Sequence, residues 1–128
     1  MNWKDLFTKN LYVTTPEDPD PFFRPRQYSR PKEAVVKAVL EVAGTLSRWK
    51  VLEHRENQGR IHATVSARFL PFADDVDIYV VQGLDGVTKL EIISRSQGGK
   101  GDFGRNKKNL RDFLASLDMK MGVPPKTL

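Results

Sequence analysis

The sequence predicts a two-layer α+β domain, a four-stranded antiparallel meander sheet with two long helices packed on one face. Three observations carry that reading. Ile61, Ala63, Val65, Ala67 and Phe69 alternate with His62, Thr64, Ser66 and Arg68, which is the period of a half-buried strand. Leu84-Asp85-Gly86 lies between two further alternating runs and reads as a three-residue hairpin loop, with Gly86 at the left-handed position. Apolar residues at helical spacing flank the strands, Val35, Val39, Val42 and Leu46 before them and Leu110, Phe113, Leu114 and Leu117 after.

The elements follow in order. Trp3, Leu6, Phe7 and Leu11 recur at near-helical spacing and predict a short amphipathic N-terminal helix, which would have to dock to be stable. Residues 14–31 hold five of the eight prolines and read as an extended connector, with Phe22, Phe23 and Tyr28 anchoring it on the domain surface. Pro31 to Trp49 reads as the first long helix, with Ser29 as its N-cap. Gly44 costs it about 1 kcal/mol against alanine, a cost assigned to close approach to the sheet.

The first strand covers 50–57, and Gln58-Gly59 turns the chain. The third strand covers 75–82, with Val76, Ile78 and Val80 inward. The fourth covers 87–95, with Leu90 and Ile92 inward. A three-residue loop sets Val80 opposite Leu90, Ile78 opposite Ile92, Asp75 opposite Arg95, Tyr79 opposite Glu91 and Asp77 opposite Ile93. Asp102 caps a last helix that runs to about Lys120. The expected organisation is helix and connector over 1–31, one domain over 32–120 and a tail over 121–128.

At 128 residues the chain fits one domain, and with no cysteine it builds its core without disulfides. Thiol catalysis and cysteine–zinc sites are excluded, and a reducing compartment is expected. The N-terminus lacks the continuous apolar stretch of a signal peptide, and no run approaches the ~20 apolar residues of a membrane span. A cytoplasmic soluble protein is therefore expected. The net charge of +5 is assigned to solubility rather than to a nucleic-acid partner.

Trp49 after a helix, Gly59-Arg-Ile61, Phe72, Asp74-Asp75-Val76, Ser94-Arg-Ser96, Asp102-Phe-Gly104 and Asn106 stand in that order before an apolar helix. In that order and spacing the chain resembles the bacterial domain-of-unknown-function family numbered 1499, over roughly Arg30 to Leu117. It departs from the family pattern in two places. The connector carries no cysteine, and the family's Ser-Arg-Val-Gly stretch reads Ser96, Gln97, Gly98, Gly99. The resemblance implies the fold and brings no activity with it.

Asp75 and Asp77 share one strand face while Asp74 points to the other, so an ion pair with Arg95 is preferred to a metal site, and none is expected. His54 and His62 face each other only if the first hairpin loop has three residues; two exposed strand histidines are preferred to zinc ligands. Asp102-Phe103-Gly104 and Gly98-Gly99-Lys100-Gly101 imitate kinase and P-loop motifs without their context. No cofactor is expected.

Two candidate surfaces remain. One is an anion site at Gly99, Lys100, Gly101, Arg105 and Asn106, where backbone N–H groups and a helix N-terminus meet two cations. The other is the polar sheet face of His62, Arg68, Asp75, Asp77, Tyr79, Glu91 and Arg95, opposite the helices. The expected function is a non-catalytic ligand-binding or protein-interaction domain, its partner a second subunit or a small anionic ligand. The alternatives are an enzyme built on Asp75, Asp77 and Arg95, and phosphate or nucleic-acid binding at the glycine-rich corner. Nucleic acid is not expected, because no exposed aromatic strand accompanies Lys107, Lys108 and Arg111.

Overall fold

The computed structural model describes residues 11–67, 71, 73–96, 104–122 and 126–127. In chain order these form β1 (Leu11–Val13), β2 (Arg26–Tyr28), α1 (Lys32–Thr45), β3 (Trp49–Arg55), β4 (Arg60–Ser66), β5 (Ala73–Gln82), β6 (Thr88–Ser96), α2 (Arg105–Met121) and β7 (Lys126–Thr127). Short 3-10 turns lie at Pro21–Phe23 and Glu56–Gln58.

Strands β3 to β6 make the expected antiparallel meander. The β5–β6 register is the one the three-residue loop dictates, with Val80 opposite Leu90, Ile78 opposite Ile92 and Asp75 opposite Arg95. The Gly83 N–H bonds the Val87 carbonyl at 2.8 Å, and Gly86 has φ +79°. Val65, Ile61, Ile78, Val80, Leu90 and Ile92 are buried on one face. They join Val35, Val39 and Val42 of α1 and Leu110, Phe113, Leu114 and Leu117 of α2 in one cluster. Both helices therefore cover the same face. Full burial of each such side chain contributes about 1.5–3 kcal/mol, against about 1 kcal/mol for a typical helix cap.

The sheet is larger than four strands. Antiparallel β1 and β2 both pair with β6, and β7 pairs with β2, giving seven strands among the described residues. The prolines of the connector forbid a long strand but leave Leu11–Val13 and Arg26–Tyr28 with their N–H groups. Those two segments close the β6 edge, which would otherwise present unpaired backbone groups. The connector is consequently no surface strap. Phe23 and Tyr28 are 2% and 4% exposed and belong to the core cluster. Asp20 accepts a hydrogen bond from the Phe22 N–H at 3.0 Å, and Pro21 opens the turn that aims Phe23 inward.

Several boundaries differ from expectation. Pro31, not Ser29, occupies the N-cap of α1, and the helix stops at Thr45. Arg48 turns the chain with φ +72°, so Trp49 opens β3 and stacks on Phe113 with centroids 5.3 Å apart. Gly104 occupies the N-cap of α2; the capping role assigned to Asp102 lies outside the described residues, as does the N-terminal helix up to residue 10. A Cβ built at Gly44 meets no described atom within 4 Å, so close approach to the sheet is not its reason.

The β3–β4 connection spans Glu56–Gly59, and Arg55 pairs with Arg60. His54 then faces Ile61 and Glu53 faces His62, so the two histidines take opposite faces. A bulge between Val51 and Glu53 shifts the register and returns Val51 opposite Ala63 and Trp49 opposite Val65, on the apolar face.

Candidate functional site

Strand parity places two polar clusters on the two faces of β5. On the outer face, Asp77 is almost fully buried by its neighbours. It accepts from Arg60 Nε at 2.9 Å and lies 3.0 Å from His62 Nδ1, with the Arg95 guanidinium 3.9 Å away. His62 Nε2 lies 3.5 Å from Asp75. Asp77 raises the affinity of Arg60 for its proton, chiefly through that hydrogen bond. At the rim, the Arg55 guanidinium holds Glu53 below the ordinary carboxylate range, aided by Arg60 and His62. Tyr79 stands opposite Glu91 in register. The predicted face thus brings His62, Asp75, Asp77 and Arg95 together, while Arg68 lies outside the described residues. Arg60 shares the parity of His62 and was legible on that ground, although the turn beside it hid it.

The inner face holds what the sequence reading missed. Asp74 continues the row of Val76, Ile78 and Val80 and is 0% exposed. Arg105 grips its carboxylate with Nε and Nη2 at 2.9–3.2 Å, and Asn109 donates to it at 2.9 Å. Ser94 and Ser96, on the matching parity of β6, complete the network. The Ser94 hydroxyl donates to Asn106 Oδ1 at 2.7 Å, and the Asn106 amide donates to Ser96 at 3.0 Å. The signal was present: an aspartate in an apolar row of β5, with Arg105, Asn106 and Asn109 on the first turns of α2.

Of the expected anion site, Gly99, Lys100 and Gly101 lie outside the described residues. Arg105 and Asn106 turn to Asp74, Ser94 and Ser96. The remaining cations of α2 also have neighbours: Lys108 pairs with Asp112, Lys107 lies over the Tyr12 and Phe23 rings, and Arg111 over Phe23. Among the described residues, no three His, Asp or Glu side chains converge to hold a metal ion. No helix of the described residues is long and apolar enough to cross a membrane.

A separate groove of about 470 Å³ runs between α1 and the end of β3. Val36 and Leu40 floor it, and Lys37, Glu41, His54 and Glu56 stand around it. The Lys32 ammonium closes one end by donating to the Glu56 carbonyl at 3.2 Å.

A family model described as "Protein of unknown function (DUF1499)" matches residues 4–117. The chain belongs to this family. Four of the residues that suggested the resemblance, Asp74, Ser94, Ser96 and Asn106, join the buried network in this DUF1499 chain. No curated protein matches the chain. Among solved structures, PFC0360w, an HSP90 activator from Plasmodium falciparum, superposes with TM-score 0.58 at 13% identity, covering 91% of this chain and 99% of that one. CalU16 from Micromonospora echinospora gives TM-score 0.49 at 14% identity, covering 77% and 76%. Protein CV1439 from Chromobacterium violaceum gives 0.43 at 17%, covering 85% and 97%. The likeness to the HSP90 activator is one of fold.

Proposed function

We propose that this DUF1499 chain is a cytoplasmic, non-catalytic domain that binds a ligand or another protein. One observation supports the reading above others: the two buried carboxylates of β5 are engaged with side chains of the same chain. Asp77 is held by Arg60 and His62, and Asp74 by Arg105 and Asn109. A carboxylate whose oxygens are taken up by side chains of its own fold is poorly placed to exchange a proton with a substrate. The open concavity lies elsewhere, on α1, and its apolar floor suits contact more than chemistry. The fold is shared with a protein described as an HSP90 activator, so it is compatible with an interaction role.

The test is a turnover assay of the purified chain on p-nitrophenyl esters, phosphates and glycosides. No turnover is expected. Turnover that disappears in a folded Asp77→Asn variant would replace this reading with an enzyme using Asp75, Asp77, Arg95 and His62.

A further inference from the structure

We propose that Asp85-Gly86, at the tip of the β5–β6 hairpin, is a site of spontaneous isoaspartate formation in the folded chain. Asp85 is the one aspartate of the sequence followed by glycine, and no asparagine is followed by glycine. The reaction brings the backbone nitrogen of the next residue onto the aspartate carboxyl, and a side chain on that residue obstructs the approach. Gly86 has no side chain, and the space where a Cβ would stand holds no described atom within 4 Å.

The turn keeps the two reacting groups together. The Val87 N–H donates to Asp85 Oδ1 at 3.0 Å, which makes an Asx turn. The Gly86 nitrogen is a member of the ring that this bond closes, so the carboxyl carbon is folded back toward it. Proximity of this kind leaves only a small rotation before attack. The Gly86 N–H is itself loosely held, bonding the Gly83 carbonyl at 3.4 Å against 2.8 Å for the Gly83–Val87 bond beside it. Leu84, Asp85 and Gly86 are all exposed, so water reaches the site. Other aspartates lack these conditions. Asp18 and Asp20 precede prolines, which have no N–H. Asp74, Asp75 and Asp77 lie in β5, and Asp112 and Asp118 in α2, where regular backbone bonding engages the following nitrogen.

The chemistry needs only water and its protons. The Gly86 nitrogen forms a bond to Asp85 Cγ. The carboxyl, protonated by solvent, gives up its OH, which leaves with the amide proton as water. A succinimide ring remains, and one water opens it. Opening at Cγ restores aspartate. Opening at the main-chain carbonyl of residue 85 gives isoaspartate, with the chain running through Cβ. Nothing is oxidised or reduced. The isomer lengthens a loop whose three residues set Val80 opposite Leu90, and it takes the acceptor away from the Val87 N–H.

The test is to hold the full chain for weeks at physiological temperature, folded and, in parallel, unfolded in guanidinium chloride. Isoaspartate is counted by methyl transfer from an isoaspartyl methyltransferase and located by peptide mapping. In the folded chain it should form at residue 85, several-fold above any other aspartate. In water enriched in heavy oxygen, that peptide should gain one heavy oxygen for each ring opened. Methyl transfer should fall to background in Asp85→Glu, whose longer side chain cannot close the same ring. Asp85→Asn loses ammonia in place of water and should give the same product faster. Isoaspartate at residue 85 in the unfolded chain alone overturns the inference, because the hairpin then protects the pair. Equal isomerisation at other aspartates overturns it too, as does a folded wild type that forms none while Asp85→Asn does.

Discussion

Asp74 occupies a place where the pleat demands an apolar side chain, and its partners define what its removal should do. A buried carboxylate is tolerated only when paired and hydrogen-bonded. Asp74→Ala would remove the carboxylate that accepts from the Arg105 guanidinium, 18% exposed, and from the Asn109 amide. Urea unfolding should show a loss of about 3–5 kcal/mol, the range for breaking a buried pair from one side. Ser94→Ala, which strands only neutral groups of Asn106 and Asn109, should lose about 1–3 kcal/mol. Equal losses in the two variants would contradict the network as drawn. Tyr28 makes a second residue-scale case. Its phenol is buried and finds no hydrogen-bond partner among the described residues. Burial first, and the nearby Asp118 charge second, push its ionisation above the ordinary value of 10.0. The unfolded chain therefore releases this proton at a lower pH than the folded one. Stability is complete below about pH 10 and falls as pH rises beyond it. The Tm of the wild type should drop steeply in that alkaline range, and less so in Tyr28→Phe. Tyr12, half-buried and bonded to Asp18, adds to the same fall.

At the scale of elements, the β3–β4 turn shows how a single glycine can set a register. Gly59 has φ +61°, and a Cβ there would lie 2.3 Å from the Val80 carbonyl oxygen. The approach is enforced by the Val80 N–H, which bonds the Gly59 carbonyl at 2.8 Å and ties the turn to β5. Gly59→Ala should destabilise the fold by about 1–3 kcal/mol, read by urea unfolding, because both the left-handed backbone and the contact resist a side chain. A neutral effect would mean that the turn swings free of β5. The same elements show what a sequence makes legible. The β5–β6 register follows from three loop residues and strict alternation, and both can be read from the letters. The bulge at Leu52 cannot, because it compensates for a four-residue turn that competes with shorter ones. Strands of three residues, such as β1 and β2, are too short to display a period, and prolines around them signal irregular backbone. The outer polar cluster was legible by parity. The inner one was missed although Asp74 was placed on the face opposite Asp75 and Asp77, because its row of Val76, Ile78 and Val80 has to be followed to its end before that face is seen to be the buried one.

For the molecule as a whole, the question is how residues 11–31 are bound to a meander that already has a core. Pairing of β1 and β2 with β6 supplies few hydrogen bonds, since each strand has three residues. The stronger tie is Arg26, whose side chain is 1% exposed. Its Nε and Nη2 meet Asp118 of α2 at 3.2 and 3.0 Å, while Nη1 donates to the Phe22 and Arg24 carbonyls at 2.6 and 2.8 Å. One guanidinium thus fixes the shape of its own segment and joins it to the last helix. The two ends of the pair are not equivalent, because the Asp118 side chain is 25% exposed and water can reach it. Asp118→Ala leaves a buried cation uncompensated and should cost about 3–5 kcal/mol. Arg26→Met fills the space with an apolar chain and leaves a carboxylate that can hydrate, so its cost should be nearer 1–3 kcal/mol, mostly from the two orphaned carbonyls. Hydrogen exchange adds the structural readout. In Asp118→Ala the β1 and β2 amides should exchange faster while those of β4 and β5 keep their protection, because the meander and both helices close the core around Ile61, Ile78 and Leu114 by themselves. The reverse order of the two stability losses would place Arg26 in solvent and leave short strand pairing alone to hold the segment.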